Sequence, residues 1–460
     1  MGTIWNPDLS AARGPKYAAL AASIRKAVQD GTLRPGGKLP PVRSLAATLA
    51  VTPGTVARAY GTLRSEGVLN GAQGSGTYVA RPEDVQPEEP YLVGLTPEGD
   101  VNLRTALAPD VGQGEEIAVA MRAAATADDW ARYPNRTDDA ALARAILDWQ
   151  SGVEIGAAEP AQVVPALGGQ HAIVLTMQAA LRGPRPRVVT DELAYSGFRH
   201  AVALARAEIS GLPWDGEGPI PAAFDAACRL GGVQLYCTSS ECHNPTTLRT
   251  SDDRRAEIVE IARRYDVQIL DDDCFISGGS IAPLYRALAP ERTWHVGSLS
   301  KRVSPWLRLG FLIAPEGRER DAVLTAQHQF FGLPRPVAAT GLELMRSGAA
   351  QRVKDRVRAQ NRRRVAIARE TLDGFDFLSR DEVPLIWLTM PRGWRASSFE
   401  TAAKAAGILV KPADLFALPD GRAPNAVRIA LNGAIPEDAL REALGTLAGL
   451  LADPPTEIEV

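Results

Sequence analysis

The chain has 460 residues, 45% of them hydrophobic and 23% charged, with a formal net charge of −3. That length exceeds one ordinary domain, and that composition excludes wholesale disorder. No run of about 18 apolar residues occurs, so no transmembrane helix is expected. The opening MGTIWNPDLSAARGPKY lacks an apolar stretch and does not read as a signal peptide. Cys228, Cys237, Cys242 and Cys274 show no C-x-x-C spacing, which predicts free thiols in a reducing cytoplasm and no metal site.

The charge is uneven along the chain. Residues 1–80 carry nine Lys/Arg against Asp8, Asp30 and Glu66, so the head is basic and the remainder acidic. A basic head on an acidic body suggests that the head meets an anion. Between them RPEDVQPEEPYLVGLTPEGD is dense in proline and acid, the signature of a solvated linker over 81–102.

In the head, Leu20, Ile24 and Val28 recur at helical spacing and predict a first helix over 15–30. DGTLRPGGKLP ends it, and PVRSLAATLA reads as a short second helix over 41–50. Thr52 suits an N-cap and Pro53 the first position of a third helix running to Glu66. VLNGAQGSGTYVA, with glycines between β-prone ends, reads as a hairpin over 68–80. Three short helices and a hairpin in a basic segment suggest a winged helix-turn-helix that reads a major groove. A small helical docking domain with a charged face is the competing interpretation. The string GTLRPGGKLPPVRSLAATLAVTPGTVARAYGTLRSEGVLNGAQGSGTYVA resembles the GntR-type DNA-binding domain almost position by position. Lys38 and Arg43 can reach phosphates or a base edge on the pattern alone, and the resemblance implies contacts to double-stranded DNA from Arg43, Thr52, Thr55, Arg58 and Tyr60, and from Gln73, Ser75 and Thr77 in the wing. Val56 and Tyr60 are equally readable as core residues of the third helix.

The body, 103–460, alternates strand-like runs (RVVT, VQLYCTSS, VQIL, TWHVGS) with helical patterns such as SDDRRAEIVEIARRY. Such alternation predicts an α/β domain with a largely parallel sheet. LGGQHAIVLTMQAAL opens a helix with glycines, whose free N–H groups suit a phosphate. CHNPTT follows one strand and offers Asn244. VQIL runs into Asp271, Asp272 and Asp273, three carboxylates that need an offsetting cation, such as a protonated pyridine nitrogen. GSLSKRVSPWLRLGF contains Lys301, the only lysine between Lys38 and Lys354, with Ser298, Ser300 and Arg308 around it. A lysine amine attacks aldehydes, and the hydroxyls and guanidinium suit a phosphate, so the set describes a site for pyridoxal 5′-phosphate. Taken alone, Lys301 would be a surface lysine.

These motifs, in this order, resemble the fold-type I pyridoxal-phosphate aminotransferases of class I over residues 100–450. The resemblance implies a large, mostly parallel mixed sheet and a small C-terminal α+β subdomain over about 350–460. It makes Lys301 the Schiff-base lysine. Ser298, Ser300, Arg308, Gly169 and Gln170 become phosphate ligands. Asp272 becomes the partner of the pyridine nitrogen, Asn244 that of the ring oxygen, and Tyr195 the stacking ring. Arg428, in NAVRIAL, and Tyr133 become contacts to a substrate or effector; for Arg428 a surface strand position is the alternative. The family's tyrosine after the strand-end aspartates is absent: DDDCF puts Cys274 there, or Phe275 in the other register. N-P-T-G reads N-P-T-T, and YPNRTDD lacks the family's glycine turn, so weak or absent transamination is expected.

Head, linker and body together resemble the MocR- or PdxR-type regulators. That layout implies a cytoplasmic homodimer, with heads swapped onto the partner's body in some members, and an operator with two half-sites. It also implies control by the cofactor or its adduct with a small amino compound, in vitamin B6 homeostasis or in amino-acid, taurine or related amine catabolism. A working aminotransferase with an accessory head, and a DNA-binding scaffold without cofactor, remain the alternatives.

Overall fold

The computed structural model describes residues 16–65, 68–70, 76–80, 99–126, 133, 136–276, 278–418 and 421–455. The chain divides into two compact units, Met1–Leu95 and Thr96–Val460.

The first unit holds helices Lys16–Gln29, Val42–Thr48 and Pro53–Ser65 and the antiparallel hairpin Leu69–Asn70 with Tyr78–Val79, close to the elements expected from the sequence. Leu20, Ile24, Leu45, Val56, Ala59, Tyr60 and Leu63 close into one core, and each helix contributes an apolar stripe. Thr52 Oγ1 accepts from the Thr55 N–H at 3.2 Å, the cap that the Thr-Pro pair predicts. Residues 36–39 add to the hairpin edge: Gly36 N–H donates to Val79 O, Val79 N–H to Gly37 O and Leu39 N–H to Thr77 O.

The second unit is built on a seven-stranded sheet. Its order is Val163–Ala166, Gly310–Ile313, Thr293–Ser298, Gln268–Asp272, Val233–Thr238, Arg187–Asp191, Glu208–Leu212. All neighbouring pairs are parallel except those of Gly310–Ile313, which runs against both its neighbours. The inner strands are buried on both faces, as a sheet covered by crossover helices requires. Helix Asp252–Arg264 shows how local the helix code is. Ser251 caps it, Asp252 and Asp253 occupy its first turn and Arg263 and Arg264 its last, each charge placed against the helix dipole.

A smaller antiparallel sheet follows the 23-residue helix Ala349–Thr371, in the order Phe377–Ser379, Leu385–Thr389, Ala426–Ala430, Lys411–Pro412. Leu103, Leu388, Phe399, Val427, Ile429 and Leu444 are completely buried in its core, each side chain contributing about 1.5–3 kcal/mol. Val101–Asn102, which composition places in the linker, form a strand parallel to Ile408–Leu409 and so belong to this region. Residues 81–98 lie outside the described residues.

The reversed strand positions the site. In a parallel sheet the carboxyl ends of strands share one edge, where ligands bind. Because Gly310–Ile313 runs the other way, its beginning lies at that edge. Gly310 pairs laterally with Ser298 on one side and Ala166 on the other. Arg308, just before Gly310, therefore meets Ser298 and Gly168 at one point, although the three come from separate segments.

Candidate cofactor site

The end of the site expected to take a phosphate is assembled there. Helix Gly169–Ala180 starts at Gly168 (φ +84°) with no side chain capping it, so its first N–H groups point outward. A Cβ on Gly168 would come within 2.5 Å of an Arg308 guanidinium nitrogen, and one on Gly169 within 2.7 Å of Cys274 Sγ. Both positions need the bare backbone because side chains crowd in from the next strands. Arg308 Nη2 donates to Leu167 O at 3.1 Å, and Ser298 Oγ donates to Ser300 Oγ at 3.0 Å. Gln170 Nε2 donates to Gly197 O at 3.0 Å. Tyr195 precedes helix Ser196–Leu204 and sets its ring edge-on to Phe198.

The strand-end acids separate by partner. Asp271 accepts from the Ser240 N–H at 2.9 Å and from its hydroxyl at 2.7 Å. Asp273 faces Arg302 at 3.2 Å. Hydrogen bonds offset Asp271, whereas burial pushes Asp273 up to about 8 in spite of Arg302, so the protein leaves Asp272 and Asp273 both short of full compensation. Asp272 takes only the Cys274 N–H, at 3.1 Å, and the Cys274 thiol. Burial pushes its carboxyl up to about 6, the state of an anion that lacks a full counter-charge.

Lys301 Nζ donates to Ala106 O, a partner 195 residues away. Burial, reinforced by the Arg428 charge, pushes its amine down to about 8. At neutral pH about a tenth of it is then the free nucleophile. Arg428 is buried in strand Ala426–Ala430; it donates to Asn244 Oδ1 at 2.8 Å and to Arg104 O and stacks its guanidinium on Phe416. Burial pushes it down to about 10. The surface-strand interpretation of Arg428 is thereby replaced: the fold points it into the body, beside the residue expected to hold a ring oxygen.

The register of DDDCF is decided by geometry. The Phe275 ring lies 5.9 Å from Lys301 Nζ, while the Cys274 thiol points to Asp272 and Gly169. Burial and the adjoining Asp272 push that thiol well above its ordinary value, so it is a neutral hydrogen-bond donor. Among the described residues DDDCF therefore sets a phenyl ring near the lysine and offers it no hydroxyl.

Tyr133 is not gathered into this cluster. It is 78% exposed and stacks on Phe331, centroids 5.4 Å apart. In the head, Lys38, Arg43, Thr52 and Arg58 are exposed, with Thr55 and Thr77 partly so. Arg58 stacks over Tyr17 at 4.0 Å and Lys38 lies over Tyr78 at 5.5 Å, so both cations are held by rings at the surface. Tyr60 and Val56 are completely buried, and the Tyr60 hydroxyl donates to Pro40 O at 2.9 Å; of the two readings open for Tyr60, the structure shows the core residue. Gln73 and Ser75 lie outside the described residues. Ala106, Arg104, Phe416 and Arg302 escaped the motif reading, since each joins the site through backbone or long-range packing with no local pattern.

The donor set fits a phosphorylated aldehyde with a basic ring nitrogen: open N–H groups, two hydroxyls and a guanidinium at one end, an under-compensated aspartate at the other, and an amine between.

Residues 16–79 match the model "Bacterial regulatory proteins, gntR family", and residues 104–447 match "Aminotransferase class I and II". Among curated proteins, the pyridoxine biosynthesis transcriptional regulator PdxR of Corynebacterium glutamicum is 29% identical over 77% of this chain and 78% of its own length. TauR of Rhodobacter capsulatus, an HTH-type transcriptional regulator, is 26% identical over 93% of this chain and 96% of its own. An archaeal alanine:glyoxylate aminotransferase structure superposes with a TM-score of 0.68 at 20% identity, covering 77% of this chain and 91% of that one, a likeness of fold. Among the described residues no helix is long and apolar enough to cross a membrane. The chain belongs to the aminotransferase class I and II family and carries a GntR-type winged helix-turn-helix at its head, the layout of the MocR- or PdxR-type regulators.

Proposed function

We propose that this protein is a transcriptional regulator whose body binds pyridoxal 5′-phosphate at Lys301 and senses it, alone or combined with a small amino compound. The observation that carries this is Lys301. It is a part-buried amine pushed down to about 8, set near the under-compensated Asp272. The cofactor would supply an aldehyde and an electron-withdrawing ring. Lys301 would hold the aldehyde carbon. Ser298, Ser300, Arg308, Gln170 and the Gly169 N–H would bind phosphate, Tyr195 would cover one ring face, and Asp272 and Asn244 would orient the ring. Arg428 would take an effector's carboxylate, and its bond to Asn244 makes the two ligands share a partner.

The head, residues 1–80, would bind double-stranded DNA through Lys38, Arg43, Thr52, Thr55, Arg58 and Thr77, with phosphate contacts supplying affinity and the third helix the base contacts. A homodimer, its heads on the partner's body or its own, would read two half-sites. It would also have to bring Tyr133 to the site from the second copy, since within one chain that ring lies against Phe331. The linker, shortened to residues 81–100 by the strand Val101–Asn102, would pass the body's state to the head, and the cytoplasm is where such a protein would meet its operator. Names among the relatives point to vitamin B6 or taurine metabolism as the regulated chemistry.

The missing hydroxyl at Phe275 favours sensing over turnover: a phenyl ring cannot donate to the ring oxygen and leaves that oxygen's charge less stabilised. The test pairs visible absorbance of the purified protein with footprinting on its own upstream region. The expected result is a visible band that Lys301→Ala abolishes, and occupancy or bending that changes when cofactor is added. Turnover of common amino acids at ordinary aminotransferase rates would refute the sensor assignment and favour the enzyme.

A further inference from the structure

His171 is the third residue of helix Gly169–Ala180, one position past Gln170, and the cofactor reading gives it no role. Its ring is bonded at both nitrogens. The Leu167 N–H donates to His171 Nδ1 at 3.0 Å, and His171 Nε2 lies 2.6 Å from Gln329 Oε1. A backbone N–H can only donate, so Nδ1 is the bare nitrogen and Nε2 carries the hydrogen. The Gln329 amide agrees with that assignment. Its oxygen faces the imidazole, and its own nitrogen donates to Gln178 Oε1 at 3.2 Å, about two turns further along the helix of His171. The Phe330 ring meets the imidazole edge-on, centroids 4.7 Å apart. Burial foremost, and then the Arg308 charge, hold the His171 pKa below the ordinary histidine value against the pull of Gln329. The ring is therefore neutral near pH 7.

These bonds lead to the cradle. Leu167 is also the residue whose carbonyl accepts from Arg308 Nη2 at 3.1 Å, and it runs directly into Gly168 and Gly169. Leu167 is thus held by its N–H from His171 and by its carbonyl from Arg308. Such holding matters at this turn. The left-handed Gly168 leaves other backbone arrangements open, and no side chain caps the helix from that position. The imidazole closes the turn instead, as the third residue of a capping box reaches back over a helix start. An imidazolium would set a second N–H against that of Leu167 and could not make this bond. We propose that His171 is a positioning residue for the phosphate cradle: its imidazole, with the hydrogen on Nε2, holds Leu167 so that the Gly169 N–H and the Arg308 guanidinium face one phosphate together. The proposal rests on the reading of the body as a pyridoxal 5′-phosphate site and sharpens it, because the effect of His171 falls on the phosphate end alone.

The test compares pyridoxal 5′-phosphate with pyridoxal, which has the same aldehyde and ring but no phosphate. Each is titrated into the full-length protein and followed by the visible band formed with Lys301. His171→Ala should weaken the phosphorylated aldehyde at least about tenfold, since the Leu167 N–H loses its acceptor, and should change pyridoxal by less than about twofold. His171→Asn puts an amide oxygen where Nδ1 stands and should stay within about threefold of the wild type for both. A second readout needs no cofactor. In protein with nitrogen-labelled histidine, NMR should show the hydrogen of His171 on Nε2, its signal assigned among the five histidines by its loss in His171→Asn. A hydrogen on Nδ1 overturns the proposal. So does a His171→Ala variant that binds both aldehydes as the wild type does, or one that loses both alike, which marks a merely structural residue. Equal loss in His171→Asn and His171→Ala overturns it as well, since ring packing and not the acceptor then holds the turn. In each of these cases a visible band in the wild type leaves the cofactor reading standing. A wild type without that band refutes the cofactor reading, and the role of His171 falls with it.

Discussion

The two regions expected to bind anions present their charges by opposite physics. In the head, Arg43, Lys38 and Arg58 stand in water, and aromatic stacking does no more than aim two of them. In the body, Lys301, Arg428 and Asp272 are drawn into the protein, and burial moves each away from its ordinary protonation. A solvated cation attracts any polyanion and is weakened by salt. A desolvated group commits to one partner geometry, because leaving it unpaired is costly. The contrast matches the proposed roles, in which the head would gain affinity along a DNA backbone and the body would recognise one small molecule.

The sharpest way to break that contrast is to remove the buried amine. Lys301→Ala should abolish covalent cofactor retention, read as complete loss of visible absorbance after gel filtration, with no loss of non-specific DNA affinity. Filling the cradle should come next: Gly168→Ala places a Cβ against the Arg308 guanidinium at a left-handed backbone position. It should lower cofactor affinity at least about tenfold by equilibrium titration. Asp272→Asn removes the charge and should cost about 1.5–3 kcal/mol of cofactor binding. Titration by pH then tests the burial argument directly. The free amine of Lys301 grows as pH rises, so cofactor association should speed up to about pH 8 and level off, where an ordinary lysine would keep rising past pH 10. Retention should weaken as pH falls below about 6, where Asp272 takes a proton. The smallest effect belongs to the head. Arg43→Ala should weaken DNA binding about equally on all sequences and reduce the salt slope by about 1, leaving cofactor absorbance unchanged.

The head was legible because its code is local. The apolar spacing of Leu20 and Ile24, the Thr52-Pro53 start and the glycine-rich turn each specify an element within a few residues. At Tyr60 the same locality left a DNA contact and a core position both open. A helix position near a DNA-facing stretch gives no sign of which way its ring points, and packing against Pro40 turned it inward. In the body the motif residues were readable one by one, yet their roles depended on partners far along the chain. Asp272 differs from Asp271 and Asp273 only through Ser240 and Arg302. Phe275 and Cys274 could not be told apart from spacing, because a one-residue change in a loop leaves the pattern intact.

By itself the sequence determined the elements, the order of the two units and the identity of a lysine set among hydroxyls and a guanidinium, since these follow from periodicity, caps and chemistry carried by neighbouring residues. Only the tertiary structure decided that the reversed strand Gly310–Ile313 would bring Arg308 to Gly168 and Ser298, that Arg428 would reach Asn244, and that Phe275 would lie beside Lys301. Each of these is a contact between segments distant in the chain, fixed by sheet order and desolvation, and none leaves a mark in any short window of residues.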